Sequence, residues 1–242
     1  MCVSNFGSSH AKYTMTSVDG NEQYLKETTE ERDLGVWMDP TLKFSIHVRH
    51  SACKANQILG LIYRSFTYID IPVMKYLYVA LVRPHLEYGN VIWHPFLKKD
   101  IYLLEKVQRR ATKMIPAIRH ISYEDRLRAM DLPSLLYRRL RGDAIEAYKY
   151  LHSCYRVDNS FLPLHQAHSE VCTRGHCLKL QKCDCRTTVR ANFFSFRIVN
   201  FWNALPTNVV EADTVNCFKG RFDKHCSHLR FCTDVDDLWK TT

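Results

Sequence analysis

The residues of this chain best suited to chemistry are basic. Arg49, Lys54 and Arg64 lie off the apolar stripe of one segment. Lys106, Arg109, Arg110 and Lys113 do the same in a second, and Arg138, Arg139 and Arg141 cluster at the start of a third. Lysines and arginines that neutralise phosphates release condensed counterions, which gives affinity for nucleic acid without regard to its sequence. A solvated helical surface has the same composition, so charge alone leaves both readings open. Arginines near a helix N-terminus oppose the macrodipole. At residues 138–141 that local conflict favours a role in binding over one in folding.

The formal net charge of +9 is unevenly spread. Residues 1–40 are acidic, with Lys12, Lys26 and Arg32 set against Asp19, Glu22, Glu27, Glu30, Glu31, Asp33 and Asp39. The surplus of positive charge falls between Lys43 and Arg141. A polyanionic partner is the natural inference.

Other constellations carry less. Cys172, His176, Cys177, Cys183 and Cys185 are dense enough to suggest zinc. Neither the four-residue gap between Cys172 and Cys177 nor the Cys-x-Cys pair fits a knuckle or finger spacing, so structural thiols are expected. The ten cysteines are scattered along the chain without an export signal, which predicts reduced thiols. Nucleotidyl transfer needs two divalent ions held by clustered carboxylates. The adjacent aspartates Asp236 and Asp237 stand five residues from the end and read as a frayed acidic tail. No His-x-Glu or Pro-Cys-x-x-Cys pair supports a deaminase. The expectation is therefore no catalytic residue, no metal ligand and no cofactor in this chain.

The elements that would position the basic residues are mainly helical, after a short strand-rich start; beyond Tyr155 the pattern loosens and an irregular C-terminal segment is expected. Tyr13-Thr14-Met15, a turn at Asp19-Gly20 and Gln23-Tyr24-Leu25 read as a hairpin, followed by a strand at 34–38, so a small antiparallel sheet is expected. Gly35 within that strand commonly marks a bulge, although it also lets another backbone approach closely. Phe44, Val48, Ala52, Ala55, Leu59, Ile62 and Phe66 describe one stripe of a long amphipathic helix. Asp70 with Pro72 signals the next helix, which Pro84 should end, and Asp100 should cap a third reaching about Ile115. Ser122 with Asp125 suggests a capping box, and 134–152 a longer helix with core residues Leu136, Leu140, Ala144, Ala147 and Leu151. Around 190–205, Phe193, Phe194, Phe196, Phe201 and Trp202 alternate with Arg190, Arg197 and Asn200. Such aromatics could stack on unpaired bases, but packing back onto the helices is expected, since so many exposed aromatics would aggregate.

With 242 residues and 46% hydrophobic composition, a real core is expected. Apolar runs fall short of a membrane span and no signal peptide is evident, which predicts an intracellular protein, cytoplasmic or nuclear.

Several stretches together resemble one family. Arg32-Asp33-Leu34-Gly35-Val36, then Leu81-Val82-Arg83-Pro84-His85-Leu86-Glu87-Tyr88 and Trp93-His94-Pro95, then Leu104 to Lys113, are similar to non-LTR (LINE, jockey-like) retrotransposon reverse transcriptases in the region after the palm. Thr173-Arg174-Gly175-His176, Asn192-Phe193-Phe194-Ser195-Phe196-Arg197 and Asn200 to Pro206 extend the likeness to the C-terminal part. The resemblance implies that Leu34, Gly35 and Val36 form the primer grip, which favours the grip over the bulge at Gly35. It implies an end-of-palm hairpin segment over 1–40, a helical thumb-like bundle over 41–155 and a C-terminal extension over 156–242. The catalytic aspartates of such polymerases, with their magnesium, belong to a palm expected before Met1, together with the fingers.

Two readings follow. In the first, the chain is the part of an RNA-directed DNA polymerase that holds RNA, DNA or an RNA-DNA hybrid, and it is inactive alone. In the second, it is a non-enzymatic nucleic-acid-binding adaptor or an inert remnant of an inserted element.

Overall fold

The computed structural model describes residues 2–3, 13–25, 27–156 and 175–234. Cys172, Thr173, Arg174, Asp236 and Asp237 lie outside the described residues. The chain is mainly helical, preceded by short strands that pair locally. These are β1 (Cys2–Val3), β2 (Thr14–Thr16), β3 (Glu22–Tyr24), β4 (Glu27–Thr28), β5 (Glu31–Asp33) and β6 (Val36–Met38). The pairs β2–β3 and β5–β6 are antiparallel, with Thr14 opposite Tyr24 and Asp33 opposite Val36, while β1 lies parallel to β4. Strands of two or three residues offer too few backbone groups to join further, so each pair stays a separate two-stranded ladder rather than one sheet. Leu34 and Gly35 are the two-residue turn of the second hairpin, with φ of 44° and 89°. Positive φ at both central positions suits the twist of such a hairpin, and no bulge is needed.

The helices that follow are α1 (Ser45–Ser65), α2 (Ile71–Leu77), α3 (Arg83–Glu87), α4 (Asn90–Trp93), α5 (Lys98–Lys113), α6 (Tyr123–Met130) and α7 (Leu135–Leu151). Beyond residue 175 the segment expected to be irregular is largely helical, with α8 (Thr188–Ala191), α9 (Phe194–Ala204), α10 (Thr207–Val210) and α11 (Val215–His225). The α1 stripe of Val48, Ala52, Ala55, Leu59 and Ile62 is buried throughout, because these positions recur on one face at the helical period. Phe66, at the C-cap, is exposed instead.

Caps set several of the starts. The side chains of Asp70, Ser122 and Ser134 accept from the backbone N–H groups of Val73, Asp125 and Tyr137, satisfying donors that the first helical turn leaves open. Two expectations differ. Asp100 sits inside the first turn of α5, buried, where it accepts from Ser45 Oγ and ties α5 to α1. Pro84 does not end its helix. The turn before it widens to a π-helix over Tyr78–Val82, and Arg83 N–H reaches back five residues to the Tyr78 carbonyl. A wider turn accommodates a proline that lacks its N–H and crowds the preceding turn.

Two apolar clusters form the core. The first gathers residues from Val36 to Leu135, and the second combines Ile101 with residues from Leu136 to Leu229. The division falls at the start of α7, so α7 packs with α9 and α11, while its contact with α5 joins the clusters. The expected boundary at 155 therefore lies within the second cluster. Phe194, Phe201 and Trp202 of α9 are buried in it. Trp202 Nε1 donates to the Leu178 carbonyl at 2.7 Å, and Asn203 both accepts from Leu180 N and donates to Leu180 O. The Trp-Asn pair thus pins the strand-like stretch before α8, and Phe194, Phe201 and Trp202 are core while Phe193 is half-exposed. Among the described residues no helix is long and apolar enough to cross a membrane.

Candidate nucleic-acid interface

α1 and α5 lie side by side in the same direction. Ser45 meets Asp100 near their starts, and Arg110 Nη1 donates to Asn56 Oδ1 at 3.1 Å further along. At the far end, Tyr63 and Phe66 share a cleft with Arg110, Lys113 and Met114. Each helix buries its apolar stripe, so polar residues three or four positions apart must share the outer face. On α5 that face carries Lys99, Tyr102, Lys106, Arg110 and Lys113, all exposed; on α1, Arg49, His50, Lys54 and Arg64 are exposed. From residue 50 to 64, α1 advances roughly 21 Å at ~1.5 Å per residue, about six phosphate spacings along one strand at ~3.4 Å each.

Clefts open at both ends of this pair. The distal cleft, about 500 Å³, adds Arg119 to Arg110 and Lys113, with the exposed rings of Tyr63 and Phe66 on its wall. Cations beside exposed rings can hold a phosphate and stack the neighbouring base. The proximal cleft, about 790 Å³, lies between the β5–β6 turn and α1, and gathers Arg32, Leu34, Gly35, His50, Lys54 and His85. Trp37 stacks on His50 with ring centroids 4.7 Å apart. His47 forms the floor: its Nδ1 accepts from Trp37 N at 3.2 Å, and its ring lies 4.6 Å from Trp93. Burial, with His50 and Arg32 nearby, pushes the His47 pKa down to about 4, so it is neutral at physiological pH.

The structure thus brings Leu34, Gly35 and Lys54 to one cleft and Arg110 and Lys113 to another, with Arg49, Arg64 and Lys106 exposed on the face between. Val36 is buried at 4% exposure and packs into the first cluster, so it supports the hairpin rather than facing a ligand. Arg109 turns inward, its guanidinium 4.2 Å from the centre of the Tyr123 ring.

The α7 arginines correct the expectation that all three contact nucleic acid. Arg138 holds both carboxylate oxygens of Glu87, and Arg141 both of Asp223. Arg139 is 1% exposed. Its nitrogens have no hydrogen-bond partner among the described residues. Burial lowers its pKa, opposed by the charges of Glu105, Glu87 and Asp143. Arg139 is thus enclosed, whereas Arg138 and Arg141 keep side chains 28% and 25% exposed but commit their guanidinium groups to Glu87 and Asp223. Further inside, Tyr123 donates to Glu105 at 2.6 Å and Tyr78 to Gln108 at 2.6 Å, while Gln108 donates to the Pro133 carbonyl. Burial raises the Glu105 pKa against the Tyr123 hydrogen bond and the charges of Arg139 and Arg109. Most polar residues of the Leu104–Lys113 stretch that face inward are therefore scaffold.

Sequence reasoning missed Arg32, His50, His85, Lys99, Tyr102 and Arg119. For Lys99 and Tyr102 the signal was present in the spacing 99, 102, 106, 110, 113. Arg32 and His85 stand in two of the stretches that carry the family resemblance, but only the docked hairpin brings them together beside α1. At the cysteines, Cys177 is disulfide-bonded, so the expectation of reduced thiols does not hold there. Cys183 and Cys185 are thiols, and His176 is buried against Trp202 with Nε2 3.2 Å from the Trp202 carbonyl. Among the described residues, no group of three or more His, Cys, Asp or Glu could hold a metal ion.

No protein-family model matches the chain, and no solved structure matches it. An uncharacterized protein of Caenorhabditis elegans is 28% identical over 111 residues, a match that covers 45% of this chain and 56% of that relative.

Proposed function

We propose that this chain holds template and primer as the segment following the palm of a LINE-type reverse transcriptase. The observation that carries this reading is the parallel α1–α5 pair, with Arg49, Lys54, Arg64, Lys106, Arg110 and Lys113 on its exposed face and a hairpin cleft at one end. Its partner is RNA, DNA or an RNA-DNA hybrid, gripped through phosphates. A hybrid is near A-form, so shape and 2'-hydroxyl groups matter more than base edges. Magnesium belongs to the palm of the complete polymerase, and this chain alone is expected not to extend a primer. An intracellular location, cytoplasmic or nuclear, goes with this reading.

The test is fluorescence anisotropy of a labelled RNA-DNA hybrid against salt. The logarithm of affinity should fall linearly with the logarithm of salt concentration, and similarly for unrelated sequences. Affinity that is indifferent to salt would overturn the phosphate grip.

A second reading, a non-enzymatic adaptor or inert remnant, has one observation in its favour. The three α7 arginines are consumed by internal pairing and burial, so the fold keeps its architecture without them reaching a ligand. An inert remnant would show no saturable binding in the same titration.

A further inference from the structure

The proximal ends of α1 and α5 also border an apolar chamber that the phosphate-binding face does not use. Its volume is about 710 Å³, within the ~300–1,000 Å³ range of small-molecule sites. Its walls come from three distant parts of the chain: Phe44 before α1, Phe96 before α5, and Phe193 and Phe196 at the start of α9. Arg190 adds a cation, its guanidinium 5.0 Å from the centre of the Phe196 ring. Among these groups stands one oriented imidazole. His94 lines the chamber, and its Nδ1 lies 3.1 Å from Asp143 Oδ2. Asp143 in turn receives two hydrogen bonds from Arg197. The contact lacks hydrogen-bond geometry at Nδ1, but a carboxylate can only accept, so a neutral His94 favours its proton on Nδ1, leaving Nε2 as an acceptor. Burial keeps the ring neutral, lowering its pKa against the pull of Asp143.

We infer that this chamber binds a nucleobase-like heteroaromatic ring, its faces against the phenyl groups and an N–H donated to His94 Nε2. Four phenyl rings supply stacking, which every base accepts. An acceptor at Nε2 calls for a donor, and Arg190 suits the phosphate that such a ring carries. The ring has two possible sources. It arrives as a free nucleoside or nucleotide, or as an unpaired base of a strand on the α1–α5 face, and the second source rests on the reading proposed above.

The probe is 2-aminopurine riboside, whose fluorescence falls on stacking, titrated into the full chain. Purine riboside, which lacks the amine, is the competitor. Saturable quenching is expected, with purine riboside binding about two- to tenfold more weakly, the value of one hydrogen bond. Phe193→Ala, at a half-exposed position, should weaken quenching by about fivefold or more. His94→Leu should erase the preference between the two ribosides, with circular dichroism confirming that each variant folds. No quenching, or quenching that both folded variants leave unchanged, overturns the site. A single-stranded oligonucleotide with one 2-aminopurine separates the sources: tighter quenching than by the riboside assigns the ring to the strand, and equal quenching to a free ligand. The same oligonucleotide with an abasic residue there reports the phosphate-binding face alone. Failure of the chamber is thereby distinguished from failure of the face.

Discussion

The hydroxyl of Tyr88 donates to the main-chain carbonyl of Leu34 at 3.0 Å, across 54 residues of sequence. This bond locks the tip of the β5–β6 hairpin to the turn after α3 and shapes the proximal cleft. Gly35 lies against the same ring, where an added Cβ would come within 3.1 Å of Tyr88 Cε1 at a φ of 89°. Gly35→Ala should therefore cost about 1–2 kcal/mol for the left-handed backbone, with further loss as the tyrosine shifts. Tyr88→Phe removes one exposed hydrogen bond and should cost no more than about 0.5–1.5 kcal/mol. Urea denaturation of both variants checks the order. A larger loss in Tyr88→Phe would show that the hydroxyl, rather than the glycine, fixes the hairpin.

The architecture was legible wherever the determinant was local. The α1 stripe, the caps at Asp70, Ser122 and Ser134, and the Asp19-Gly20 hairpin each depend on residues within one or two turns. Pro84 misled because a π-helical turn was available to absorb it. The α7 arginines misled for a different reason. Positions 138, 139 and 141 point in different directions around a helix, and their partners Glu87 and Asp223 are 51 and 82 residues away. Only packing decides which cation meets a carboxylate, which is buried and which stays outside. The His94–Asp143 contact was hidden in the same way.

His47 makes the hairpin sensitive to acid. Its Nδ1 accepts from Trp37 N only while neutral. Its pKa is lowered to about 4 in the fold, from 6.5 in the unfolded chain. Between these values the unfolded state binds more protons, so stability is full above pH ~6.5 and declines as pH falls toward 4. The decline should be on the order of 3 kcal/mol. His47→Asn, which can still present an oxygen to Trp37 N, should flatten that part of the stability profile measured by chemical denaturation. An unchanged profile would assign the acid sensitivity to another group.

Arg197 of α9 is a nearly buried bridge to α7 and to α4. It makes two hydrogen bonds to Asp143, and one each to the Val91 and Asn192 carbonyls. Burial alone would raise the Asp143 pKa, but His94 and Arg197 more than offset it and hold the carboxyl below its usual range. Arg197→Met leaves that carboxylate buried with the His94 contact and the charge of Arg139 nearby. Breaking such a pair should cost about 3–5 kcal/mol, seen as a marked fall in the thermal midpoint. A loss under about 1 kcal/mol would mean that water or His94 takes over the role.

The separation of outer and inner arginines gives the sharpest test of the interface. Lys106, Arg110 and Lys113 are exposed on α5, whereas Arg138 is half-buried against Glu87. Replacing the three α5 residues together with alanine should reduce the salt slope of hybrid binding by about 2–3, at roughly 0.9 for each phosphate no longer neutralised. Stability should change little, since exposed positions away from caps and cores shift it by about 0.5 kcal/mol or less each. Arg138→Ala should do the reverse. It removes two charge-assisted hydrogen bonds and leaves Glu87 with the 3.8 Å contact to Arg83, so stability should fall by about 1.5–3 kcal/mol while the salt slope of the folded protein stays the same. Anisotropy titrations at several salt concentrations, paired with thermal unfolding of each variant, measure both quantities. A salt slope that drops in Arg138→Ala as much as in the α5 triple variant would place the nucleic acid against α7 and remove the α1–α5 face as the grip.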